Sequence, residues 1–231
     1  MTIAVVQSFT APTSANTAYT GSFGSNVTAL DSVILSATGA SSTGGGVSSS
    51  GPTFNGSTPP GSVKAADQAD ASGHVYQAIW LMPAVAGGAA GTGLTVTGNN
   101  FTGGPTGLVG LEVSGLGSSP TVDQATSNTG SGTTGNSGTT GAITSAPEIV
   151  VAGLVWYGTT PALVGAPWTE LQFGSDYSIS AYRIVTSSGG TYQYATTSGS
   201  AFWSGAIATI ATSLTAAAEP IPYLTQNGGM F

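Results

Sequence analysis

Residues Glu148–Trp156 read EIVVAGLVW, the strongest apolar run in the chain. The run is rich in β-branched side chains, sits between turn-forming residues, and reads as a strand. Working outward, Trp168–Phe173 (WTELQF), Ser178–Val185 (SISAYRIV), Thr191–Thr196 (TYQYAT) and Phe202–Ala211 (FWSGAIATIA) have the same character. On the N-terminal side it recurs in Thr2–Phe9 (TIAVVQSF), Ser32–Thr38 (SVILSAT), His74–Met82 (HVYQAIWLM), Leu94–Gly98 (LTVTG) and Leu108–Val113 (LVGLEV). Glycine and proline punctuate these runs, and the connections are too short for crossover helices, so the strands are expected to pair antiparallel. The expected fold is all-β, a two-sheet antiparallel jelly-roll sandwich. Ala211–Glu219 is Ala-rich, but its threonines and the following Pro220 allow at most a helical turn.

Composition narrows the function. Only 5% of the 231 residues are charged, against about a quarter in an ordinary globular protein. Lys64 and Arg183 are the only basic residues, His74 is the only histidine, and nine acids bring the formal net charge to -7. Nucleic acid and anionic membrane surfaces are disfavoured as partners, because both need clustered cations. Hydrophobic residues make up 40% of the chain, with four Trp, eight Tyr and seven Phe, so a core can form. Ser, Thr, Gly and Asn fill the polar half and predict a neutral, hydroxyl-covered surface. There is no cysteine, hence no disulfide and no thiol chemistry. The opening MTIAVVQSFTAP has neither the basic region nor the apolar run of a secretory signal. No apolar segment approaches the roughly 18–20 residues that span a bilayer.

Gly39–Gly61 and Thr126–Ser145 carry almost no apolar side chains and are expected to be long Gly/Ser/Thr loops on one rim of the sandwich. Neither flank holds enough strands to close a core alone, so residues 1–218 are expected to form one domain. Residues 219–231 (EPIPYLTQNGGMF) are expected to form an extended C-terminal docking arm. Pro220 and Pro222 enforce extension, and Ile221, Tyr223, Leu224, Met230 and Phe231 supply apolar contacts to a partner.

The chain offers little for catalysis. Glu112, Glu148 and Glu170 fall on expected strands, but no Glu-x-Asp or Glu-x-Glu places two carboxylates on one strand face, as a glycosidase sandwich usually does. Asp67 and Asp70, near Lys64, lack the alternating ligands of a calcium loop, although a looser site is conceivable. His74 has no second histidine or cysteine with which to hold zinc, and no serine lies in a Gly-x-Ser-x-Gly elbow. No enzyme, cofactor or metal is expected. Trp80, Trp156, Trp168 and Trp203 are expected mainly to fill core. Trp168 with Tyr192 and Tyr194, and Tyr157 beside them, could instead stack on a glycan.

The sequence also resembles a family. SVILSAT after Asp31 is followed by an aromatic strand running into a Pro-Ala-Val and Gly-rich turn (Trp80 to Gly88), then by Glu-x-Ser-Gly-Leu at Glu112 to Leu116. An Ala-Pro-Glu precedes the central apolar strand, and Tyr-x-Tyr and Ala-Phe-Trp strands close the series. This pattern, over about residues 20–210, resembles concanavalin A-like or jelly-roll domains of phage virion proteins, chiefly minor tail and capsid-decorating proteins of actinobacterial phages. The resemblance implies a non-enzymatic structural protein on the virion surface, made in the host cytoplasm without a signal peptide. It implies binding to major capsid or tail subunits and to further copies of itself. The competing expectation is a carbohydrate-binding, host-recognition lectin-like module.

Overall fold

The computed structural model describes residues 2–14, 18–44, 48–88, 94–99, 103–172 and 177–213. The expected docking arm over 219–231, from Pro220 to Phe231, lies outside them. Among the described residues the first eight strands are β1 (Ala4–Ser14), β2 (Ala18–Gly21), β3 (Ser32–Ser41), β4 (Ser48–Thr53), β5 (Val63–Ala69), β6 (Val75–Met82), β7 (Leu94–Asn99) and β8 (Gly103–Ser114). The last five are β9 (Thr121–Asn136), β10 (Glu148–Trp156), β11 (Thr169–Gln172), β12 (Ser178–Val185) and β13 (Ala195–Ala211). They form two five-stranded sheets, ordered β1-β8-β3-β6-β5 and β11-β12-β10-β13-β9, and a three-stranded sheet, β2-β7-β4. All pairings are antiparallel. The two large sheets pack face to face as a β-sandwich. Each is drawn from one contiguous part of the chain, the first from residues up to Ser114 and the second from Thr121 onward.

The interface between the sheets explains half of each central strand. Ile34, Ile79, Leu81, Val109, Leu111 and Val113 from the first sheet meet Ile149, Val151, Ala206, Ala208 and Ile210 from the second. Residues of the opposite parity point away from this interface, yet they too are apolar and buried. Val33, Leu35, Ala37, Ala78, Trp80 and Met82 pack beneath Phe23, Val27, Phe54 and Val85. Val150, Ala152, Leu154, Trp156, Ile179 and Ile207 pack beneath Ile143, Tyr194 and the partly buried Trp168 and Tyr192. Three stacked cores result, and every residue of β3, β6 and β10 is buried. An antiparallel strand with one wet face would alternate in polarity. EIVVAGLVW does not alternate because both of its faces are covered.

The middle core is not wholly apolar. Ser180 Oγ donates to Ser36 Oγ at 2.7 Å, Gln77 Nε2 donates to the same oxygen at 2.9 Å, and Thr38 Oγ1 donates to Ser178 Oγ at 3.1 Å. The Ser180–Ser36 and Thr38–Ser178 bonds link the two sheets through buried hydroxyls, which would be costly to leave unpaired, and the Gln77 bond braces Ser36 from within its own sheet. Gly153 stands opposite, where a Cβ would run into the Gln77 amide.

The structure corrects several expectations. Thr126–Ser145 is not one long loop, because β9 runs sixteen residues to Asn136 and pairs along seventeen-residue β13. Its glycines are the reason. The Trp203 and Trp156 rings lie against Gly130 and Gly135, where side chains would collide with them. The apolar cover comes from the neighbouring strands, so β9 itself needs few apolar residues. Gly39–Gly61 likewise holds the end of β3 and all of β4. Thr191–Tyr194 lies outside the strands, and strand structure begins only at Ala195.

Phe9 occupies a slot in which a Cβ at Gly21 or at Gly110 would overlap its ring. Gly110→Ala is therefore expected to destabilise the protein by about 1–3 kcal/mol through overpacking. Adding Phe9→Ala should recover part of that loss. Urea unfolding of the two single variants and the double checks this; strictly additive losses would contradict it.

Candidate functional site

The most distinctive surface is built on the outer face of the second sheet. Between Pro161 and Trp168 the chain leaves the sheet as ALVGAP, with Leu163 62% and Val164 48% exposed. Apolar residues on such a loop would ordinarily collapse inward, but here the backbone is held out by specific bonds. Glu170 on β11 accepts the Val164 N–H at 2.8 and 3.1 Å and the Gly165 N–H at 2.8 Å. Ala162 N donates to Thr197 O at 2.8 Å, Gln172 Nε2 to Pro161 O at 2.7 Å, and Thr196 Oγ1 to Ala162 O at 2.5 Å. The Tyr194 hydroxyl donates to the Glu170 carboxylate from below. Burial, with Glu170 as hydrogen-bond partner and nearby charge, drives the Tyr194 phenol well above its ordinary pKa, so it stays a donor.

The aromatic residues singled out in the sequence form the pedestal of this loop. Trp168 stands edge-on to Tyr194, with ring centroids 5.3 Å apart at 77°. The Arg183 guanidinium lies over Tyr192 at 5.0 Å and over Trp168 at 5.6 Å, a cation–π arrangement. Tyr194 is completely buried and presents no face to solvent, while Trp168 and Tyr192 are half-buried. Structure thus brings Trp168, Tyr192 and Tyr194 together around Arg183 and Glu170. Sequence reading missed the loop itself. Its signal was an apolar stretch between two prolines, Pro161 and Pro167, that belongs to no strand.

The other candidates lie elsewhere. Asp67 pairs with Lys64 at 2.7 Å and accepts the Tyr76 hydroxyl at 2.9 Å. Asp70 is 5% exposed and accepts Ser72 N, Ser72 Oγ and Val75 N, which closes the turn before β6. No group of three or more His, Asp or Glu among the described residues could hold a metal ion. Trp80, Trp156 and Trp203 are buried in the cores.

Two carboxyl pairs emerge that the linear sequence does not display. Glu112, fully buried at the rim of the first sheet, accepts Thr28 N at 2.7 Å and Gln7 Nε2 at 2.5 Å. It also shares a hydrogen bond with Asp31. Burial, then the bond and charge of Glu112, push Asp31 up to about 6. Asp123 and Glu148 form the second pair. Burial raises Glu148, whereas Asp123 is held low: its burial acts upward, but the Thr144 N–H and hydroxyl, at 2.6 and 2.7 Å, outweigh it. In each pair the neighbouring carboxyl is one of the causes that raise the shifted acid, Asp31 or Glu148.

No protein-family model, curated protein or solved structure matches the chain.

Two outcomes are expected here. Glu170→Ala should release the Val164 and Gly165 amides, seen as faster hydrogen exchange at those two positions and a loss of about 1–3 kcal/mol. Unchanged exchange at both would remove Glu170 as the clamp. Asp31 binds its proton more tightly folded than unfolded, so its contribution is complete below about pH 4 and is lost as pH rises through about 6. Asn at this position mimics the protonated acid permanently. Asp31→Asn should match the wild type at pH 4 and melt progressively higher than it from pH 4 to 7; a constant difference in Tm across that range would contradict the shared proton.

Proposed function

We propose that the chain is a structural protein of a bacteriophage particle surface, a capsid-decorating or minor tail protein that works by protein–protein binding. The observation that carries this reading is the clamped ALVGAP loop. Leu163 and Val164 stand exposed on a backbone fixed by Glu170, Gln172 and Thr196. Apolar anchors that are already ordered lose little further entropy on docking, which favours recognition of a partner protein. Partners of this chemistry are the capsid or tail subunits of the particle and further copies of the chain. The expected arm, Pro220–Phe231, would add a second, extended contact.

Other features fit the same role. Both basic side chains are engaged internally, Lys64 with Asp67 and over Trp80, and Arg183 over Trp168 and Tyr192. With two basic residues the chain also offers few sites for trypsin-like proteolysis.

Incorporation into particles tests the proposal. Phage carrying Leu163→Asp with Val164→Asp, or lacking Pro220–Phe231, should yield particles with at least ten-fold less of this chain by quantitative mass spectrometry. The isolated variants should still show the wild-type β-type circular dichroism and a cooperative melt. Normal occupancy in both variants would refute the docking role, and wild-type particles without the chain would refute the virion assignment.

A further inference from the structure

A second surface, distant in sequence from the ALVGAP loop, lies where β13 outruns β10. The last β10–β13 pair is Trp156 with Trp203, and beyond it β13 pairs with β9 alone. That pairing slips between Thr197 and Ala201, so Ser198–Ser200 bow out of the ladder. Bulges of this kind re-aim side chains and commonly border sites. Here the bulge leaves an open cleft of about 500 Å³ lined by Ser131, Gly132, Tyr157, Ser200, Ala201 and Phe202, a volume typical of small-ligand sites.

Its walls are fixed in advance. Phe202 stacks on the His74 imidazole with ring planes 3° apart and centroids at 5.4 Å, and Tyr157 meets the same imidazole edge-on at 5.4 Å. Tyr157 N donates to Phe202 O at 2.9 Å. Ser198 Oγ reaches Thr159 Oγ1 and Thr160 O, both at 2.9 Å, and so ties the bulge to the turn after β10. Gly132 holds φ at +123°, a conformation closed to other residues, and nothing within 4 Å would meet a Cβ there, so the floor is kept bare. Phe202 turns its second face outward and remains 43% exposed.

We propose that this cleft binds a neutral saccharide. No lining residue is charged, so neither an anionic nor a cationic ligand would find a counter-charge. An exposed aromatic face beside several hydroxyls suits a pyranose, whose C–H face packs on a ring while its hydroxyls bond at the margin. Phe202 and Tyr157 supply the apolar contact. Ser131 and Ser200, both exposed, and the Tyr157 hydroxyl supply the polar one. A purely apolar peptide would leave those hydroxyls covered and unpaired.

The test is titration calorimetry of the intact chain with soluble hexamers of glucose, galactose and N-acetylglucosamine. Saturable binding to at least one is expected, unchanged between 0.1 and 1 M NaCl, with Phe202→Ala weakening it at least ten-fold and Phe202→Tyr retaining it. Because Phe202 is surface-exposed, the Ala variant should melt close to the wild type. No saturation with any of the three at millimolar concentrations would overturn the proposal, as would binding indifferent to Phe202→Ala or a preference for an apolar peptide probe. Particle incorporation of Phe202→Ala, expected to be normal, reports separately on the docking role.

Discussion

Burial of both faces of the central strands is the constraint on which the molecule depends. A sandwich normally hides one face of each sheet and leaves the other to water. Here β3, β6 and β10 are apolar on both parities, so each sheet needs an outer cover as well as its partner. That demand recruits segments such as the β2-β7-β4 sheet, the Phe23–Val27 stretch and the Tyr192–Tyr194 segment into structure. The ALVGAP loop and the bulge cleft are by-products of those covers, because both lie where covering segments meet the second sheet.

Dense burial also sets how charge is handled. With only two cations, most acids have no basic partner, so they are stabilised by N–H and O–H donors or by each other's proton. Glu170 takes two amides and a phenol, Asp70 takes two amides and a serine hydroxyl, and Glu112 takes an amide, the Gln7 side chain and Asp31. Each of these acids organises a turn or loop. The middle core follows the same rule with neutral groups, where the Ser36 hydroxyl oxygen accepts from both the Ser180 hydroxyl and the Gln77 amide N–H.

The strands that the amino-acid pattern revealed are those whose own side chains make the core: SVILSAT, the Val75–Met82 run, EIVVAGLVW and SISAYRIV. Those it concealed, β4 and β9 above all, are rich in Ser, Thr and Gly and owe their order to neighbours. Gly130 and Gly135 look like linker residues until Trp203 and Trp156 are seen lying on them. Trp168, Tyr192 and Tyr194 were visible as a set because aromatics are conspicuous, but their burial and the intervening Arg183 depend on pairings no linear pattern specifies. The same holds for Asp31 with Glu112, eighty-one positions apart in the chain. The ALVGAP loop went unread because exposed apolar residues look like core when only composition is visible.

The division of the two large sheets between successive parts of the chain matters during synthesis. When the ribosome has released β1 to β8, the face bearing Ile34, Ile79, Leu81 and Leu111 is complete, while Ile149, Val151 and Ala208 do not yet exist. At typical elongation rates that face waits on the order of 10 seconds for its lid. A wholly greasy surface would be prone to stick to other nascent chains in that interval. Ser36, Thr38 and Gln77, set into the middle of it, interrupt the grease with hydrogen-bonding groups that water can satisfy in the meantime. The hydroxyls that later stitch the halves together thus also serve as a temporary wetting agent for the half that is made first.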